Sequence, residues 1–270
     1  MVNLSSVSYF LGWAYFISWG LASYPPILLN IRLKSVEGIS IDFLYLNLVG
    51  YLSYTTSIFM LFFNSFVREQ YALKYTSASE LAKDPSHRHY PLLQLNDVAY
   101  TVHGLFCVLI LFYQVHFSNF KKSRTTLSSS TRGLLYLVGI LCTITIGNVL
   151  LLKDRASFKL LDIAELLGYI KVFMSVSKYI PQLIYNHQRK STKGWAINST
   201  ILDIFGGVSS LGQLFLDGYL NNDLSSIWGN TSKLMLALVT IAFDIFFLLQ
   251  HYVIFPKYYK PQVISLSDFK

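Results

Sequence analysis

Charge is scarce in this chain. Asp, Glu, Lys and Arg make up only 13% of its 270 residues, against 53% hydrophobic, whereas soluble domains carry about 25% charge. That shortage excludes an ordinary soluble domain and places the chain in lipid, with membrane lipids as neighbours. Cysteine is nearly absent too. Cys107 and Cys142 both lie inside apolar runs, so they offer neither a disulfide framework nor a metal-site spacing, and no metal or organic cofactor is expected. The formal charge is +8, but the basic residues gather in short segments between apolar stretches. That pattern argues against a nucleic-acid-binding face and for membrane orientation. Met1 to Ser8 holds no basic residue, so no cleavable signal peptide is expected.

Long apolar runs are what the chain has in plenty. Stretches of about 20 residues can cross a hydrocarbon core roughly 30 Å thick. Seven such stretches are expected, approximately Val7 to Leu29, Ile41 to Phe63, Leu92 to Phe117, Gly133 to Leu152, Leu160 to Tyr185, Ile197 to Tyr219 and Leu234 to Phe255. An odd number puts the termini on opposite sides. Arg32 and Lys34, then Lys121, Lys122, Arg124 and Arg132, then Arg189, Lys190 and Lys193, then Lys257 and Lys260 all fall on one side, which is expected to be cytosolic. The N-terminus, the segment Asn64 to Pro91 and the loop Asp217 to Ser232 fall on the other, luminal side. Only the Lys153-Asp154-Arg155 and Lys159 cluster runs against this orientation.

The chain also contains one device twice. Tyr24-Pro25-Pro26 through Asn30, Lys34 and Ser35 returns as Ile180-Pro181-Gln182 through Asn186, Lys190 and Ser191, and the offset of 156 also relates Gly38 to Gly194 and Gly50 to Gly206. This register pairs span one with span five and span two with span six, leaving span three to match span seven and span four as a linker. The expected fold is all-α with seven transmembrane helices: two parallel three-helix bundles in a 3+1+3 plan. The first bundle covers residues 1–117 with a luminal loop at 64–91, the linker 118–159, the second bundle 160–255 and a cytosolic tail 256–270. Such repeats with proline-interrupted helices point to a transporter whose halves enclose a substrate near the midplane, not to an enzyme. Pro25, Pro26 and Pro181 each remove an intrahelical bond near a helix end, which makes those ends, with Asn30, Gln182 and Asn186, a gating hinge.

Ionisable side chains inside spans mark function by default. Asp97, Lys171, Lys178, Asp203 and Asp244 stand out. Lys171 and Lys178 are two turns apart and share one face of span five, although Lys178 could instead reach the headgroups. Asp203 and Asn47 are again 156 apart, so one level of the two halves carries a carboxyl on one side and an amide on the other. Low dielectric disfavours a charged carboxyl, so Asp203 can take a proton from an acidic lumen and release it to neutral cytosol. It is the expected coupling residue, with Asp97 and Asp244 in the proton path; Asp203 could alternatively pair with Lys171 or Lys178, and Asp97 could cap or pair near the interface. Lys233, at the luminal start of span seven, reads as a solvated lysine.

Pro181-Gln182, Asn186 and Lys190-Ser191-Thr192-x-Gly194-Trp195 resemble the second PQ loop of the PQ-loop transporters, with Pro26 where the first copy's glutamine is expected. Within that group the chain resembles the cystinosins over nearly its whole length. The likeness rests on Lys34-Ser35-Val36-x-Gly38-Ile39-Ser40-x-Asp42-Phe43, Asn96-Asp97-Val98 with His103, Tyr169-Ile170-Lys171, Leu202-Asp203 with Gly206-Gly207, Lys233, Phe243-Asp244 and Gln250-His251. The resemblance implies a lysosomal or vacuolar symporter of L-cystine and protons, with protons the only coupling partner and Asn47, Lys171, Lys178 and Asp203 around the substrate.

Two departures from the family pattern concern targeting: the first span begins almost at once, and no tyrosine-based sorting signal follows Phe255. A third concerns the site. Family members often carry asparagine one turn before the span-six aspartate, where this chain has Ser199; Asn198 is one step away, about 100° around the helix. The sequons at Asn3, Asn198 and Asn230 are read as coincidental. Rival readings are an exporter of cationic amino acids, a sugar carrier, and a cargo receptor of the same fold. A seven-span receptor would not explain the repeat.

Overall fold

The computed structural model describes residues 4–36, 39–76, 88–122, 126–151, 159–188, 190, 192, 197–222, 227–228 and 231–256. A helix satisfies its own backbone polar groups in lipid, and the apolar runs fold accordingly. The helices are α1 (Leu4–Ala22), α2 (Tyr24–Leu33), α3 (Ile41–Phe63), α4 (Ser65–Tyr75), α5 (Leu95–His116), α6 (Ser129–Leu151), α7 (Leu160–Gln188), α8 (Ile197–Leu220) and α9 (Thr231–Leu249), the last running on as a π-helical turn, Gln250–Ile254. The one β contact among the described residues is a bridge between Ser35 and Lys121.

Among the described residues, five stretches are long and apolar enough to cross a membrane: Ile41–Phe63, Leu95–His116, Ser129–Leu151, Ile197–Leu220 and Lys233–Ile254. Two of the expected seven, α1 and α7, fall outside this set, and composition is the reason. α7 is 29 residues long, about 44 Å at 1.5 Å per residue, but carries Asp162, Glu165, Lys171 and Lys178. α1 has 19 residues, with serines, tyrosines and tryptophans spread through it.

The expected first span, Val7 to Leu29, is also broken in two. Two successive prolines remove two donors, so α1 stops at Ala22 and α2 restarts with Pro25 and Pro26 in its first turn, where missing N–H groups cost nothing. The single Pro181 stays inside α7. His103 lies at the break, its Nε2 2.8 Å from Tyr24 Oη. Below the prolines the two copies converge again. Lys34 and Lys190, 156 positions apart, both adopt left-handed backbone, φ 47° and 50°, and their N–H groups bond the carbonyls of Ile31 and His187 at 3.3 and 3.0 Å. This is a helix-ending geometry that glycine usually supplies. The flanking Lys193, Gly38, Gly194 and Trp195 lie outside the described residues.

Six helices close a ring in the order α1, α8, α9, α7, α3, α5 and back to α1, while α6 lies outside it against α7 and α3. Lipid offers no hydrophobic drive for helix association, so close approach at small residues does that work. Where α1 crosses α8, Gly206 lets the Trp19 ring come so near that a Cβ would sit 2.6 Å from its Cδ1. Beside the ring, α4 was hidden in a segment read as a loop. It packs on α7 through Lys74 Nζ and Glu165 Oε2 at 2.6 Å, and burial, with the Glu165 carboxylate next, holds the Tyr75 hydroxyl above the ordinary tyrosine range.

Candidate functional site

The ring encloses a cavity of about 190 Å³. The proline-broken helix contributes Trp19, Pro26 and Asn30; α3 contributes Asn47 and Tyr51; α5, Tyr100; α7, Lys171, Ser175, Lys178 and Gln182; α8, Ser199 and Asp203; α9, Thr240. Spacing explains the α7 face: Lys171, Ser175 and Lys178 stand at i, i+4 and i+7, one above another on one stripe.

At mid-height the charges stand close together without closing into ion pairs. Lys178 Nζ donates to Asn47 Oδ1 at 2.9 Å, and no ion pair joins Asp203 to either cavity lysine among the described residues. Lys178 therefore faces the cavity, not the headgroups. Lys171 is 2% exposed and sits 3.5 Å from the Tyr51 ring centroid; a desolvated cation over such a ring gains about 2 kcal/mol or more. The Tyr51 hydroxyl in turn meets that of Tyr100 at 3.1 Å. Trp19 Nε1 donates to the Asp203 carbonyl at 2.9 Å, which leaves the carboxyl free to face the cavity. Ser175 and Ser199 also line it, each with a buried hydroxyl that has no hydrogen-bond partner among the described residues. Asn198 is exposed on the other side of α8, as the 100° step requires.

Asp97 and Asp244 do not line this cavity. Asp244 is 1% exposed, with Oδ2 unpartnered among the described residues, and lies on α9 within electrostatic reach of Asp203 and Lys178. Asp97 sits in the first turn of α5. Its Oδ2 accepts the Gln94 N–H at 2.7 Å, capping α5, and its Oδ1 accepts from Tyr15 Oη at 2.5 Å and Lys233 Nζ at 2.7 Å. Asp97 thus both caps and pairs. Lys233 needs correction: it is 3% exposed, not solvated, because Asp97 and Gln213 Oε1, 2.9 Å away, supply the partners a buried ammonium requires. Ser8 also donates to Asp217, and Gln94 Nε2 reaches Asp217 Oδ2 at 2.9 Å. Together these bonds tie α1 and α5 to α8 and α9 at the end of the ring where α5 begins.

One signal could have found the pair earlier. Asp97 and Lys233 are 136 positions apart, as are Gln114 and Gln250, so α5 and α9 keep a register of their own. Sequence reading missed Tyr15, Trp19, Tyr51, Tyr100 and Gln213, since aromatic and amide side chains in apolar helices look like packing.

A PQ loop repeat profile matches residues 7–67 and 163–223, two intervals related by the same 156. Over 259 residues the chain is 35% identical to the cystinosin homolog of Dictyostelium discoideum, covering 94% of this chain and 84% of that protein. The chain belongs to the cystinosin family. It is also 31% identical over 265 residues to the cystine transporter of Saccharomyces cerevisiae, covering 94% of this chain and 95% of that one. Cystinosin of Drosophila melanogaster is 34% identical over 244 residues; there the match covers 90% of this chain but 57% of the longer relative. The chain is therefore a PQ-loop, multi-pass membrane member of the cystinosin family.

Proposed function

We propose that the chain is a proton-coupled symporter carrying L-cystine from an acidic lysosomal or vacuolar lumen to the cytosol by alternating access. Its seven spans form two parallel three-helix repeats, 1–117 and 160–255, joined by the linker 118–159, with the N-terminus luminal and the C-terminus cytosolic. One observation carries this reading: a cavity between the repeats holds two lysines, a carboxyl and an amide, and a buried ion pair across the repeats, Asp97 with Lys233, stands between it and the lumen. The yeast relative is a cystine transporter and the Drosophila relative a cystinosin, which supports cystine as the substrate.

The chemistry fits the cargo. Cystine carries a carboxylate and an ammonium at each end. Lys171 and Lys178 offer cations to the carboxylates, and Asp203 and Asn47 offer acceptors to the ammonium groups. Protons are the only coupling ion, and no other cofactor is needed. Asp97 belongs to the proposed proton path, and its pair with Lys233 holds the luminal side closed, since breaking a buried pair costs about 3–5 kcal/mol. The proton then passes to Asp203, which Lys178 and Asp244 face, and is released with substrate as the cytosolic gate at Pro25, Pro26, Asn30, Pro181, Gln182 and Asn186 opens. Two lysines in the cavity repel a cationic side chain, which disfavours lysine or arginine as cargo.

The test is uptake of radiolabelled L-cystine by the purified chain in liposomes, scanned over the pH of the compartment facing the luminal side. Uptake that rises with luminal acidity and resists competition by lysine and arginine is expected; uptake indifferent to pH, or competed by those cations, overturns the proposal.

A further inference from the structure

The two proline-bearing helix ends are held by one hydrogen-bonded unit that occurs twice. In the first copy Asn30 Nδ2 donates to Gln114 Oε1 at 2.8 Å, and Gln114 Nε2 donates to the Ile27 carbonyl at 3.2 Å. In the second, Asn186 Nδ2 donates to Gln250 Oε1 at 3.2 Å, and Gln250 Nε2 donates to the Leu183 carbonyl at 3.1 Å. Ile27 and Leu183 are 156 apart and each lies two residues after a proline, Pro25 or Pro181. The same atoms bond the same atoms in both halves.

All four amides are buried, between 0% and 8% exposed. An amide side chain has two N–H donors and a carbonyl acceptor, and each glutamine spends one donor and its acceptor on a single partner segment. These bonds run within a repeat: α2 to α5 in the first, the end of α7 to the π turn in the second. Of the ties around Asp97 and Asp217 described above, Lys233 to Asp97, Ser8 to Asp217 and Gln94 to Asp217 run between repeats instead. Proline has meanwhile taken a backbone donor out of each helix just above the tied segment. Each copy therefore has a weakened joint, then a segment fastened to the third helix of its own repeat.

We infer that Gln114 and Gln250 are positioning residues of the cytosolic gate: each fastens the segment beyond the proline to its third helix, so that gate and third helix turn as one body about the proline joint. The inference rests on the alternating-access reading for its consequence, while the fastening itself does not depend on what is carried. The two clamps differ in make. The second adds Gln182 Nε2 to Asn186 Oδ1 at 3.1 Å and is built on the first residue of the π turn, a helix irregularity found mostly at functional places. The first has Pro26 at the position of Gln182 and no such bond.

Hydrogen exchange on the full chain in detergent, with Gln114→Leu and Gln250→Leu, tests the fastening without substrate. Gln114→Leu is expected to speed amide exchange roughly tenfold in residues 27–33 alone, and Gln250→Leu to do so in residues 183–188 alone, since local opening tracks local bonding. Unchanged exchange, or a uniform rise across all helices, overturns the inference. If a leucine variant does not fold, Asn30→Ser or Asn186→Ser removes one bond of the same clamp and is read the same way. In liposomes the leucine variants should bind radiolabelled cystine as the parent does but turn over about tenfold more slowly, a barrier difference of about 1.4 kcal/mol. Full turnover with loosened ends shows that the clamp does not drive the gate. Absence of cystine uptake by the parent chain sinks the transport reading and leaves the exchange result to judge the clamp.

Discussion

The two halves share a backbone plan and differ in chemistry. Positions 156 apart carry Tyr15 against Lys171, Trp19 against Ser175, Ala22 against Lys178 and Asn47 against Asp203; positions 136 apart carry Asp97 against Lys233 and Val108 against Asp244. The first half supplies a buried aromatic wall, Tyr15, Trp19, Tyr51, Tyr54 and Tyr100. The second supplies most of the ionisable groups. Symmetry thus brings equivalent positions to one level of the pore, and asymmetry decides which of them carries charge. Among the described residues, only at the buried pair of Asp97 and Lys233 do both halves contribute a buried charge, and there the signs are opposite. A wall of rings opposite a row of cations gives Lys171 and Lys178 weak partners, whereas a second row of carboxylates would pair them.

Making the halves alike is the sharpest way to break this comparison. Asp203→Asn puts the same amide on both sides and should abolish pH-driven uptake while leaving folding intact; uptake that still rises as the luminal side is acidified removes Asp203 from coupling. Lys233→Ala leaves the Asp97 carboxylate buried without its cation, at a cost of about 3–5 kcal/mol to the closed state. Thermal unfolding in detergent should show the loss, and Asp97→Asn combined with Lys233→Gln should recover part of it; additive losses in the double variant would deny the pair. On the proposed function, Lys171→Ala removes a charged hydrogen bond to substrate worth about 1.5–3 kcal/mol, so the apparent affinity should weaken at least about tenfold. An unchanged affinity would leave Tyr51 as the only purpose of that lysine.

The smallest effects concern packing, and the halves differ there too. Gly206→Ala places a Cβ 2.6 Å from the buried Trp19 ring and should cost about 1–3 kcal/mol. At the equivalent Gly50 the nearest atoms are Met174 Cβ at 3.2 Å and Lys171 Cδ at 3.5 Å, so the cost should be smaller. Gly139→Ala, in α6, meets nothing within 4 Å and should stay within roughly 0.5 kcal/mol of the parent. Melting temperatures in that order support a tight α1–α8 crossing, and equal values for Gly206→Ala and Gly139→Ala would refute it.

Much of this was legible along the chain because helices are local. The 3.6-residue period put Lys171 and Lys178 on one face, the 156-residue register put Asn47 and Asp203 at one level, and apolar runs located six of the helices to within a few residues. The break at Ser23 was not legible, since one proline bends a helix and two in succession end it. Nor was α4, a polar helix stabilised by its contacts with α7. The register between third helices was hidden for a different reason: α4 and its flanking segments lengthen the first half between its second and third helices, so the offset falls from 156 to 136.

What the amino-acid order determined by itself is therefore the duplicated plan and the inventory of buried charges, both of which follow from periodicity and composition. Which charges meet was decided only by tertiary structure. Asp97 finds Lys233, Asn30 finds Gln114 and Trp19 settles on Gly206 because ring closure brings together side chains far apart in the chain, and a buried polar group takes whichever partner that closure leaves within hydrogen-bond reach.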